Sequence, residues 1–167
     1  MTLQDVKLLQ AFNAWATQRI FDAVEKLTPE QFIMDMKSSH KSIHGTLTHY
    51  VAAEKMWLSR FAGKPDAKMF SPADLPTLAE VKAQWEKNGY ESAKFLGTMT
   101  DKKLQETFNM TNARGETVPV IYWQALQHIV DHSTFHRGQI VSMMRQQGVQ
   151  PPATGLIGFY REIGKKS

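Results

Sequence analysis

The chain has 167 residues, 42% of them hydrophobic and 22% charged, an ordinary composition for a single globular domain spanning residues 1–167. The formal net charge is +4, but the 20 basic residues are scattered among 16 acidic ones, so we expect no nucleic-acid partner. The chain lacks cysteine, a signal-peptide pattern and a long apolar run. We therefore expect a cytoplasmic protein without membrane contact and without disulfides, thiolate ligands or thiol nucleophiles of its own.

The first predicted helix carries apolar residues every three or four positions over Val6–Leu27. Thr28 and Pro29 end it, because threonine is a poor helix former and proline cannot donate a backbone hydrogen bond. Trp15 and Phe21 lie outside the main apolar stripe. Such extra apolar surface is compatible with a subunit interface, although single exposed apolar residues are also normal.

The second and third helices are predicted with clear boundaries. The second runs from about Ser42 to Phe61, with Ser39 or Ser42 as N-cap and Gly63 at its end. Residues 62–76 contain three prolines and are predicted as a loop. Thr77 and Glu80 then form a capping box for the third helix.

The last third of the chain begins with a break in the helical period. Residues 106–120, centred on "NARGE", predict a short β-hairpin, and the fourth helix follows from about Ile121 to Gln147. Residues 154–166 can form a short terminal helix. The expected fold is all-α: an antiparallel four-helix bundle with a possible short β-hairpin before the last long helix.

Two histidines lie four residues apart on the core-facing side of the fourth helix, His132 and His136 in "DHSTFHRGQI". Positions four apart are separated by about 40° around a helix and ~6 Å along it, so both imidazoles can reach one metal ion. A pair of buried histidines with protein partners is the alternative. His49 lies midway along the second helix among small residues, and facing helices of a bundle can bring three imidazoles to one cation.

Neighbouring polar residues receive other roles. His128 lies one turn before His132, where a pocket or outer-shell role and a plain buried histidine are both possible. His40 and His44 precede or begin the second helix and are expected to be solvated. Glu54 is about 140° around the helix from His49, so we expect it to pair with a lysine or arginine. Arg137 and Gln139 are expected to have packing roles, and Asp131 is expected to be a solvated carboxylate.

Two long segments of the chain carry a family resemblance. "SIHGTLTHYVAAEKMWLSRFAG" (42–63) and "LQHIVDHSTFHRGQIVSMMRQQGVQPPATGLI" (126–157) resemble the DinB-like family of damage-inducible and related bacterial proteins. The resemblance implies a four-helix bundle, often a homodimer, with one divalent metal held by three histidines. Motif match places these ligands at His49, His132 and His136, and it favours a pocket or outer-shell role for His128. Gly155 stands where similar sequences usually carry aspartate, which affects the polar role of that segment but not the metal site.

Three neutral imidazoles leave a divalent ion its full charge and at least one open coordination position, as in catalytic sites. Such ligands suit Zn, Ni or Fe(II). Relatives of the resembling family include transferases and isomerases that use mycothiol, bacillithiol or glutathione, so the resemblance implies a metal-dependent thiol S-transferase. The alternative is a metal-binding, stress-linked protein without turnover. A third possibility, metal-dependent hydrolysis, has Glu54 as its only candidate general base.

Overall fold

The computed structural model describes residues 1–64, 69–111 and 114–165. In chain order these residues form α1 (Leu3–Val24), α2 (Pro29–Ile33), α3 (Ile43–Phe61), α4 (Leu78–Leu96), α5 (Asp101–Leu104), β1 (Thr107–Thr111), β2 (Thr117–Ile121), α6 (Tyr122–Gln146) and α7 (Leu156–Gly164). Parts of the predicted loop (65–68), of the hairpin turn (112–113) and of the predicted terminal helix (166) lie outside the described residues.

The four long helices α1, α3, α4 and α6 form the predicted bundle, and β1 and β2 form the predicted antiparallel hairpin. Helices α1 and α4 are antiparallel, since Glu25 at the end of α1 meets Lys82 near the start of α4. Helices α3 and α6 are also antiparallel, since His49 contacts His136 and Phe61 contacts Tyr122. The long connection of residues 62–77 lets α4 run beside α3 in the same direction, with Asn88 bonded to the Val51 carbonyl. Long crossover connections of this kind are a known variant of the four-helix bundle.

The helix starts follow the predicted capping chemistry, with one addition. Thr77 and Glu80 form the expected capping box, and Ser42 Oγ accepts from the Gly45 amide at 3.0 Å. The first helix ends at Val24 and not at Leu27, and Thr28 caps the separate short helix α2. Proline at the first position of a helix loses no hydrogen bond, so Pro29 begins a helix here.

The two aromatic residues of α1 considered for a subunit interface differ in burial, since the chain covers Phe21 fully and Trp15 only in part. Phe21 is fully buried, with its ring 5.2 Å from that of Trp85 on α4. Trp15 packs 5.7 Å from the Phe159 ring on α7, and its Nε1 donates to Glu162. Phe21 is therefore part of the core, while Trp15 stays partly exposed and a subunit interface there stays a prediction. The homodimer stays a prediction.

The main core lies where α1, α3 and α6 meet, with Val81 of α4 closing one side. Ile20, Leu47 and Ile140 are inaccessible to solvent there. Burying such side chains stabilises the fold by roughly 1.5–3 kcal/mol each and fixes α3 against α6, the two helices that carry the candidate ligands. Within the described ranges, no helix has both the length and the apolar character needed to cross a membrane.

Candidate metal centre

The three histidines predicted as ligands meet between α3 and α6. The ring centroids of His132 and His136 are 4.4 Å apart, and that of His49 lies 5.3 Å from His132 and 4.7 Å from His136. The Nε2 atoms of His132 and His136 are 3.1 Å apart. With nitrogen–metal bonds of about 2.0–2.1 Å, two ligand nitrogens on one ion are separated by roughly 3 Å, so this pair has the required spacing.

His40 belongs to the same cluster, so the expectation that it is solvated is wrong. Its ring stacks on His49 at 3.8 Å and 16° and lies 5.3 Å from His136. One ligand nitrogen from each of His40, His49 and His136 lies within 4.8 Å of the others. We call His40, His49, His132 and His136 the histidine cluster. His49 and His136 belong both to this set of three, with His40, and to the predicted set, with His132. The predicted set stays a prediction.

Gln139 orients one ring of the cluster, a role that the packing interpretation missed. His136 Nδ1 and Gln139 Oε1 are 2.8 Å apart, so the Nδ1–H donates to the amide oxygen. The other nitrogen, Nε2, then carries a lone pair and faces His132. A metal-binding histidine usually donates its second ring nitrogen in this way. The i, i+3 spacing of the two residues was the signal available in the sequence.

Burial keeps the imidazoles of the cluster neutral. It is the largest cause that lowers the pKa of His49 and of His132 to about 4, and neighbouring imidazoles lower both further. The pKa values of His40 and His136 are also lowered, mainly by burial. Neutral imidazoles at pH 7 present lone pairs to a cation. The spacing of these rings, their protonation and the bond to Gln139 all fit a divalent metal ion.

The other two histidines lie outside the cluster. His128 is exposed, with its ring 5.8 Å from His132 and 5.4 Å from Trp57, a position open to an outer-shell role. His44 is buried at 6% exposure, which contradicts the prediction of a solvated residue. Its ring stacks on Phe32 at 4.8 Å, and Nε2 lies 2.7 Å from the Leu75 carbonyl oxygen. His44, on α3, therefore contacts both α2 and the loop that precedes α4. Asp131 is exposed, as predicted.

Glu54 belongs to a buried polar network and not to the histidine cluster. Its Oε1 accepts from Asn13 Nδ2 at 3.1 Å and from Ser133 Oγ at 3.4 Å. Burial is the main reason that the pKa of Glu54 is raised to about 7, and these hydrogen bonds and Arg137 oppose the rise. The expected arginine partner is present but acts through Asn13, whose Oδ1 accepts from Arg137.

Arg137 is the centre of this network, beyond the packing role predicted for it. It is 1% exposed and donates to Thr17 Oγ1 at 3.1 Å and to Thr134 Oγ1 at 2.7 Å, as well as to Asn13. Its two terminal nitrogens, Nη1 and Nη2, make these hydrogen bonds and offset part of the cost of burying the charge, whereas the buried Nε has no partner. Arg137 therefore ties α6 to α1 at the position next to His136.

A cavity of about 490 Å³ opens between α1 and α4, where Ala14, Gly89 and Ala93 leave a gap. Glu54 and Asn13 lie in its wall beside Trp85. The hydrogen bonds of Glu54 direct its carboxylate toward α1 and this cavity. Its placement therefore gives no support to a general-base role at the histidine cluster.

Comparisons with known proteins agree on one family. The DinB family model matches residues 2–163. The chain is 28% identical to "Protein DinB" of Bacillus subtilis (strain 168), over 94% of this chain and 95% of that protein. It is also 28% identical to "Uncharacterized protein YrdA" of the same organism, over 90% of this chain and 85% of that protein.

Among solved structures, the chain is similar to the crystal structure of a DinB-like protein from Bacillus cereus ATCC 10987. The TM-score is 0.70 at 21% sequence identity, and the match covers 91% of this chain and 97% of the other. At this identity the likeness concerns the fold.

Proposed function

The chain belongs to the DinB family, and from this premise we propose that it binds one divalent metal ion and transfers a low-molecular-weight thiol to an electrophilic substrate. The observation that carries the proposal is the meeting of His49, His132 and His136, with the two Nε2 atoms on α6 3.1 Å apart. Three such ligands suit Zn, Ni or Fe(II).

The residues of this chain have separate tasks in the proposed reaction. His49, His132 and His136 hold the ion, and Gln139 fixes the tautomer and orientation of His136. When bound, the ion supplies a Lewis acid that favours the thiolate form of a thiol at neutral pH. The chain has no cysteine, so the thiol comes from solution. Transfer forms one sulfur–carbon bond, the leaving group departs with its electron pair, and the thiol proton passes to solvent.

The test combines metal analysis with a thiol screen. Untagged protein is expected to contain about one divalent ion per chain. The Co(II)-substituted protein is then titrated with a panel of cellular thiols, and each thiol is assayed with an aryl halide as generic electrophile. The right thiol is expected to give a sulfur-to-metal charge-transfer band and to be consumed faster than in buffer. The His49→Ala variant is expected to show neither effect.

A metal-binding, stress-linked protein without turnover is the second candidate. The observation in its favour is His40, a fourth imidazole beside the other three, because a full set of protein ligands is typical of a structural metal site. Bound metal together with a complete thiol panel that gives neither a charge-transfer band nor thiol consumption would favour this candidate.

A further inference from the structure

His40 lies in a tight turn between α2 and α3. The Lys41 amide donates to the Ser38 carbonyl at 2.9 Å, which leaves Ser39 and His40 as the central residues of the turn. The Met36 amide donates to the Lys41 carbonyl at 2.7 Å. Lys37 and Lys41 have φ values of 56° and 65°, a left-handed conformation that costs free energy in residues other than glycine. Such strain persists where surrounding contacts hold it, often at functional sites.

The backbone of His40 is pressed against the first turn of α3. A Cβ atom at Gly45 would lie 2.0 Å from the His40 carbonyl oxygen, so only glycine permits this approach. The same carbonyl oxygen accepts from the Ser42 amide at 2.8 Å. Gly45 and the turn together fix the backbone of His40 beside the helix that carries His49.

The ring of His40 is close to the other imidazoles but stacked too closely on His49 for both to bind one ion as they stand. With bonds of about 2.0–2.1 Å, two imidazoles on one ion have ring centroids roughly 4.5–5 Å apart. The distance between His40 and His49 is 3.8 Å, whereas His40 and His136 are 5.3 Å apart. Binding therefore requires His40 to move about 1 Å away from His49. Because Gly45 and the turn hold the backbone of His40, this movement is a rotation of its half-buried side chain.

We propose that His40 is a fourth, displaceable ligand, which fills the open coordination position at rest and leaves it when a sulfur ligand arrives. The inference rests on the proposed metal site. It explains why a strained turn and a glycine in the helix face place an imidazole next to three others. It is also compatible with the observations behind both candidate functions. The ion has a full set of protein ligands at rest, and a coordination position becomes free for the thiol.

The experiment compares wild-type protein with His40→Ala, His40→Gln and the turn control Ser39→Ala, each loaded with Co(II). X-ray absorption is expected to give four imidazoles in wild type and Ser39→Ala, and three in both His40 variants. Titration with 2-mercaptoethanol is expected to give about tenfold tighter binding in the His40 variants, because no protein ligand has to leave first. Circular dichroism checks that each variant is folded, and the two His40 substitutions guard against a defect specific to one of them.

The outcomes separate this inference from the function on which it rests. Three imidazoles in wild type, with unchanged thiol affinity in both His40 variants, would overturn the role of His40 and leave the three-histidine site intact. Wild-type protein that takes up no ion would overturn both. Loss of affinity in the His40 variants with the imidazole count unchanged would make His40 an outer-shell residue and also overturn the proposal.

Discussion

His132 lies between two other histidines on α6, and the structure gives those two different surroundings. His136 is 5% exposed, bonded to Gln139 and 4.4 Å from His132, centroid to centroid. His128 is exposed, and its ring is 5.8 Å from His132. Since His128 and His136 are separated by ~12 Å along the helix axis, one ion cannot readily be bound by both. These surroundings favour the pair His132 and His136.

Alanine substitution is expected to separate the ligands from their neighbour. His49→Ala, His132→Ala and His136→Ala should each lower metal affinity by several orders of magnitude, because each removes a direct ligand. His128→Ala should lower it by about 10- to 100-fold or less, as for an outer-shell change. Competition with a chelator of known affinity measures both effects in variants that remain helical. Near-native affinity in His136→Ala together with loss of the ion in His128→Ala would show that the pair is wrongly assigned.

The first turn of α3 helps to hold the histidine cluster, because Gly45 allows the His40 backbone to pack closely against it. Gly45→Ala places a methyl group against the His40 carbonyl, so the turn must move away from the helix. We expect this variant to lose about 1–3 kcal/mol of stability, as in other overpacked sites, and to bind the metal ion less tightly than wild type because the turn that carries His40 is displaced.

The matched control for this substitution is Gly89→Ala. Gly89 is also helical, on α4, but nothing lies within 4 Å of a Cβ added there. Removing a mid-helix glycine should leave stability unchanged or raise it by about 0.5–1 kcal/mol. Urea unfolding and metal titration of the two variants measure the difference. Native metal affinity in Gly45→Ala would mean that the packed turn does not matter to the site.

The start of α7 offers a physical account of the departure at Gly155. Gly155 is the N-cap of α7, with φ and ψ of −74° and 144°, and its helix end has no side-chain capping bond. The family resemblance implies an aspartate in this segment, and an aspartate N-cap would accept from the first backbone amides of the helix. Glycine at this position therefore leaves uncapped the start of a helix that packs on α1.

Stability of the whole metal-free molecule depends on pH through two opposing sets of groups. His49 and His132 have pKa values of about 4 in the folded chain, against 6.5 as reference, so the unfolded chain binds more protons between these values. Their contribution is present above pH 6.5 and is lost as the pH falls toward 4. Glu54 acts in the opposite sense, because its pKa is raised from 4.5 to about 7 and folding is disfavoured as the pH rises through that window.

The histidines outnumber Glu54, so the urea midpoint of metal-free protein is expected to fall as the pH drops from 6.5 to 4.5. His49→Gln should flatten this dependence, and Glu54→Gln should steepen it by removing the opposing contribution. A midpoint that rises on acidification, or equal slopes in wild type and His49→Gln, would contradict the assigned pKa shifts.

Patterns within single segments of the chain were enough to predict the features that depend on neighbouring residues. Apolar residues every three or four positions, the capping box of Thr77 and Glu80, and the hairpin pattern predicted the bundle and β1–β2 to within a few residues. The spacing of His132 and His136 was sufficient to predict their proximity, because helix geometry fixes the distance between positions four apart. The place of His49 beside them needed the further premise of facing helices in a bundle.

Contacts between residues far apart in the chain depend on the packing of the helices and turns against one another. His40 joins the cluster because of a turn with two left-handed lysines and a glycine in the facing helix, and apolar periodicity carries no information on such a turn. Phe21 is covered by α4, and the buried Arg137 reaches Asn13 over 124 positions of sequence. Local patterns report helix faces, whereas the packing of several elements selects which face meets which partner; this is why the helices were predictable and the full histidine cluster was not.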